Sequence, residues 1–126
     1  AVRARMQVDV ACGVLARELL RALGYDELLT EIISFVISRQ DYPWKVVSKY
    51  RTIITEDICA ESVTQFLNHF PDEMLEEKGF SRSDLRNIIA KLLVFFSAID
   101  IYASGDRYVN DRYIDKLNAL RNRIER

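Results

Sequence analysis

Few side chains in this chain carry the kind of chemistry a catalyst needs. There is one histidine, His69, and there are two cysteines, Cys12 and Cys59. A Cys–His nucleophile pair requires hydrogen-bond reach, and Cys59 and His69 are ten residues apart. On one helix that is nearly three turns. Tetrahedral metal sites draw on clustered His, Cys or carboxylate ligands, which one histidine and two distant cysteines do not supply. Glu73, Glu76 and Glu77 stand at helical spacing, but no oxygen-rich loop accompanies them to complete a calcium-type cage. There is no glycine-rich phosphate loop with its lysine. No catalytic residue, metal or cofactor is expected, and both cysteines are expected to be buried free thiols, as unpaired Cys usually is.

Two other groups of residues suit binding. Arg82 and Arg86, and Asn87 and Lys91, are four residues apart, with Arg86 and Asn87 adjacent. Arg and Asn can read base edges with paired hydrogen bonds, and Lys contacts phosphate. Just before them, Asp72, Glu73, Glu76 and Glu77 form an acidic strip. A third group, Tyr42, Trp44 and Tyr50 with Lys45, Lys49 and Arg51, has the composition of a base-stacking surface. The same pattern is the usual one for packed aromatics beside cations whose stems lie on the core.

The elements that position these groups are mainly helical. Four Gly and two Pro in 126 residues argue against a loop-rich or all-β fold. Val2–Leu23 is predicted to be a helix with Val8, Ala11, Cys12, Leu15, Leu19 and Ala22 inward, ended by Gly24. Asp26 caps a second helix over Glu27–Arg39, whose wide apolar set is Leu28, Leu29, Ile32, Ile33, Phe35 and Val36. Pro43 starts a short helix through Tyr50. Thr55 caps Glu56–Phe70, with Ile58, Cys59, Ser62, Val63, Phe66 and Leu67 as its inner stripe. Asp72–Lys78 closes at Gly79. Ser81 to Asp84 carries a capping signal for a helix with Leu85, Ile88, Ile89, Leu92, Leu93 and Phe96 on one face. Ile99–Tyr102 reads either as a continuation of that helix or as the first strand of a hairpin turning at Ala103–Asp106 and returning as Arg107–Val109. A last helix starts at Asn110 or Asp111, with Tyr113, Ile114, Leu117, Leu120 and Ile124 inward.

The order of the C-terminal half resembles the winged helix-turn-helix superfamily. Glu56–Phe70, Asp72–Lys78 and Ser81–Ala98 would be its three helices, Gly79-Phe80-Ser81 its turn with Phe80 plugging the core, and Arg107–Val109 its outgoing wing strand. The resemblance implies one helical domain over residues 1–126. A winged-helix-like half (55–126) would pack on an N-terminal helical pair (1–50), giving an all-α chain with a small β-hairpin wing. It further implies a non-catalytic accessory subunit or regulator binding DNA or RNA through Arg82, Arg86, Asn87, Lys91, Arg107 and Arg112. One feature departs from a DNA binder. The helix before the turn would cross the phosphate backbone, and it carries Asp72, Glu73, Glu76 and Glu77, which phosphates repel. Those four acids suit a protein partner instead. The competing expectation is therefore a protein-interaction or dimerisation module without nucleic-acid affinity.

Net charge is −1, unevenly spread. Residues 41–79 carry −4 and residues 80–126 carry +3, a distribution compatible with either partner class. No apolar run is long enough to span a bilayer, and Gln7 and Asp9 interrupt any leader-like segment, so an intracellular protein is expected. The wide apolar face over Leu28–Val36 marks either core or a homodimer interface.

Overall fold

The computed structural model describes residues 2–47, 54–103 and 111–125. Every element among them is an α-helix: α1 (Val2–Ala22), α2 (Glu27–Ser38), α3 (Asp41–Val47), α4 (Glu56–Leu67), α5 (Asp72–Glu77), α6 (Arg82–Ala103) and α7 (Asp111–Glu125). The chain is all-α, as its periodicities predict. It divides into two units, Ala1–Asp41 and Tyr42–Arg126. No helix among the described residues is long and apolar enough to cross a membrane.

The first unit is a helical hairpin of α1 and α2. Gly24, at φ +79°, lets the chain leave α1 in the left-handed region. There Tyr25 N–H donates to the Leu20 carbonyl at 3.0 Å and Gly24 N–H to the Arg21 carbonyl at 3.0 Å, closing orphan carbonyls of the last turn. Asp26 then caps α2, its Oδ2 accepting from Leu28 N–H at 3.0 Å and Leu29 N–H at 3.3 Å. The helices approach closely at Gly13, where an added Cβ would lie 2.8 Å from Ser38 Cβ and 2.9 Å from the Ser34 carbonyl oxygen. Gln40 donates to Asp9 Oδ1 across the hairpin at 3.0 Å. Beside this seam, Arg17 and Arg21 pair with Glu31, and Arg21 with Glu27 at 2.6 Å. The hydrogen bond from Arg21 holds the Glu27 carboxyl below its ordinary range.

The inward set expected for α1 is corrected here. Asp9 and Gly13 are buried and Ala16 and Leu20 half-buried, while Ala11, Cys12, Leu15, Leu19 and Ala22 are exposed. The apolar stripe read as inward is the outward face, because the contact with α2 uses small residues that let two backbones approach. Cys12 is accordingly an exposed thiol and not a buried one. On α2, Leu28, Ile32, Phe35 and Val36 are buried, so this face is core and not an exposed oligomer interface. Leu29 lies at its edge, 43% exposed.

In the second unit α4, α6 and α7 pack on one another. Cys59, Val63 and Leu67 from α4, Leu85, Ile89 and Leu93 from α6, and Leu117, Leu120 and Ile124 from α7 are buried together with Leu75 of α5. Thr55 caps α4 through Ile58 N–H. Ser81 and Asp84 form a reciprocal capping box at α6, with side-chain to backbone distances of 3.1 and 3.3 Å. Gly79, at φ +82°, ends α5 with Phe80 N–H donating to the Leu75 carbonyl at 2.9 Å. Phe80 is 39% exposed and so does not plug the core. α6 continues through Ile99–Tyr102 to Ala103, so of the two expectations for this segment the helical one holds. Arg107–Val109 lies outside the described residues. Ile58, Ile88, Phe96 and Ile114, expected to face inward, are exposed at 42%, 38%, 39% and 43%.

Candidate interaction surface

The binding residues expected from the sequence do not share one surface role. Arg82 is a clamp. Its Nη1 donates to the Leu67 carbonyl at 2.6 Å, its Nη2 to the Phe70 carbonyl, and its Nε to Asp72 Oδ1 at 2.8 Å. One guanidinium thus closes the C-terminal carbonyls of α4 and ties them to the starts of α5 and α6. Three of its five N–H donors are thus committed inside the fold.

Arg86 lies in a concavity of about 390 Å³ between α4, α6 and α7, lined also by Asp57, Glu61, Thr64 and Arg123. Arg123 pairs with Asp57 at 2.8 Å. Two guanidiniums facing two carboxylates leave no net positive charge to hold a phosphate. Asn87 and Lys91 are exposed on α6. Arg107 and the side chain of Arg112 fall outside what is described. Asp72, Glu73, Glu76 and Glu77 are all exposed on α5, and Asp72 is bound to Arg82.

The feature that sequence reasoning passed over is the outward face of α6. Phe95 is 60% exposed, Ile99 47% and Ile88 38%, with Leu92 half-buried between them. At 100° per residue these four fall within one narrow arc. A groove of about 450 Å³ opens beside this row and shares Leu92 and Phe95 with it; Lys91, Val94 and Ala98 of α6 and Arg121 of α7 complete its lining. Its floor is apolar and its rim carries the two cations. Arg121 is ion-paired with Glu125 one turn on, Nε to Oε1 at 4.0 Å. Phe96 meets Phe95 edge-on, ring centres 6.0 Å apart, which orients Phe95.

No protein-family model, no characterised protein and no solved structure matches this chain. The site therefore rests on its own chemistry.

A signal for this face is present in the sequence. The apolar positions of α6, Val94 and Ala98 included, cover roughly 300° of the helix, more than one buried face requires. Assigning Ile88, Leu92 and Phe96 to the core with Leu85, Ile89 and Leu93 merged two faces into one.

Among the remaining groups, His69 is exposed at the end of α4, its Nδ1 2.9 Å from the Gln65 carbonyl oxygen. Cys59 is 1% exposed, and burial pushes its thiol up to about 12. Such a thiol is protonated at neutral pH and unsuited to nucleophilic attack. Lys45, expected to extend into solvent, is buried at 6% exposure.

Proposed function

We propose that this chain is a non-catalytic protein-binding module whose α6–α7 groove takes an apolar helical segment of another protein, with acidic residues on that segment meeting Lys91 and Arg121. The observation that carries this reading is the apolar, half-exposed row Ile88, Leu92, Phe95 and Ile99 on a helix whose adjacent face is already core. Amphipathic helices dock into such grooves through side chains one turn apart. Exposed aromatics are frequent binding anchors.

A second reading, a winged-helix-like half that contacts nucleic acid, is supported by one observation. Phe95 stands in the groove beside Lys91 and Arg121, and an aromatic flanked by cations stacks bases along a single strand.

Fluorescence anisotropy separates the two. The probes are a labelled amphipathic Leu/Glu helix peptide and labelled single- and double-stranded DNA and RNA, each titrated with protein from low to physiological salt. The protein-binding reading predicts saturable peptide binding that Phe95→Asp weakens at least tenfold, with flat nucleic-acid titrations. Nucleic-acid binding that falls steeply with log salt and is lost in Lys91→Glu would replace it with the second reading.

A further inference from the structure

Helix α1 has two neighbouring faces whose centres lie roughly 110° apart, and α2 occupies only one of them. The face toward α2 is Asp9, Gly13, Ala16 and Leu20, buried or half-buried. The other is Ala11, Cys12, Leu15, Leu19, Ala22 and Leu23, all exposed, with Leu15 and Leu23 at 64% and Leu19 at 61%. These six fall within roughly 120° of the helix and no charged residue interrupts them. We propose that this stripe is the seam on which α1 pairs with α1 of a second copy of the chain, joining two hairpins into a four-helix arrangement.

Two observations select a second copy. First, Cys12, Leu15, Leu19 and Ala22 follow alternating steps of three and four. That is the a/d pattern of a helix that packs knobs into holes against one partner helix, and an identical helix brings the same narrow seam to a two-fold axis. Second, three leucines at 61–64% exposure with the smaller side chains beside them bring the patch to about 500 Å². Two such patches meeting about a two-fold axis bury about 1,000 Å², the lower bound for a specific interface. The arc carries no charge for a partner of opposite sign to read, which a self-complementary contact does not need.

The test uses the whole chain. Sedimentation velocity from about 1 to 200 µM is expected to show a rise from the 14.7 kDa monomer to twice that mass. Leu15→Glu with Leu19→Glu should hold the protein at the monomer mass with its helical circular dichroism intact. Val14→Glu, on the same helix but outside the arc, and Phe95→Asp, in the other unit, should leave the dimer unchanged, so failure of this proposal is separable from failure of the groove reading. Cys12 is an internal reporter. Its rate of modification by an aromatic disulfide reagent should fall at least tenfold between the lowest and highest concentrations. Should the double variant lose helicity, this wild-type thiol rate decides the question. A single 14.7 kDa species at every concentration would overturn the proposal. So would a dimer in which Cys12 reacts as fast as in the monomer.

Discussion

Replacing Arg82 with alanine should destabilise the second unit rather than weaken a binding surface. Arg82 donates to the Leu67 and Phe70 carbonyls and to Asp72. Leu67 is fully buried and Phe70 is 7% exposed, so these carbonyls at the end of α4 have little water to turn to once the guanidinium is gone. A hydrogen bond from a charged donor contributes about 1.5–3 kcal/mol when the site is dry. The Arg82 side chain is 28% exposed, so water recovers part of that, and about 1 kcal/mol per carbonyl is a fair working figure. The Asp72 contact, with that side chain 73% exposed, adds less than about 0.5 kcal/mol. The total loss is about 2–2.5 kcal/mol. With a urea m-value of about 1.5 kcal/mol/M, the midpoint should fall by roughly 1.3–1.7 M when followed by circular dichroism at 222 nm. Arg82→Lys should recover little, because one ammonium cannot span two carbonyls and a carboxylate in the same plane. Asp72→Asn should shift the midpoint by less than about 0.3 M. An unchanged midpoint in Arg82→Ala would refute the clamp and return Arg82 to the solvent-facing residues.

Three further outcomes follow from the packing. Gly13→Ala should lower the melting temperature, although alanine is the better helix former by about 1 kcal/mol. Its Cβ would sit 2.8 Å from Ser38 Cβ and 2.9 Å from a backbone oxygen, and overpacking of this kind costs about 1–3 kcal/mol; a raised melting temperature would mean that α1 and α2 separate freely. Leu93→Ala, at a position 1% exposed, should cost about 2–5 kcal/mol, whereas Phe95→Ala, 60% exposed, should stay within about 1 kcal/mol in denaturant titrations; equal losses would mean that Phe95 is core. Cys59 should react with thiol reagents only after denaturation, and its burial makes alkaline stability fall. Because the folded thiol titrates near 12, above the ordinary value of 9.0, its contribution is complete below about pH 9. It is lost at about 1.4 kcal/mol per pH unit as pH rises toward 12. Cys59→Ala should remove that increment from the alkaline slope, and identical slopes would contradict it.

Helix starts and stops were legible from the sequence because local chemistry sets them. Asp26, Thr55 and the Ser81–Asp84 pair cap where their types indicate, and Gly24 and Gly79 take the left-handed turns that end α1 and α5. Helix faces were less legible. Periodicity reports that a helix has an apolar stripe, not which neighbour covers it. On α1 the bulky stripe faces out and the small residues around Gly13 face α2. On α6 two apolar faces lie side by side, and a single-face assignment cannot separate them. Ionic side chains were the least legible. Arg82 carries the charge and position of a phosphate contact, yet its donors close backbone carbonyls fifteen and twelve residues earlier in the chain. That pairing exists only after α4 and α6 have packed.

A charge-swap titration probes the groove most directly. Wild-type protein and the Lys91→Glu, Arg121→Glu double variant would each be titrated against two labelled amphipathic peptides that differ only in flanking Glu or Lys. Two exposed pairs at about 0.2–1 kcal/mol each predict that the wild type prefers the Glu-flanked peptide by about twofold to thirtyfold at low salt. The double variant should prefer the Lys-flanked one by a similar factor. Equal affinities across all four combinations, or no binding of either peptide at millimolar protein, would contradict an apolar groove that selects its helix by the cations on its rim.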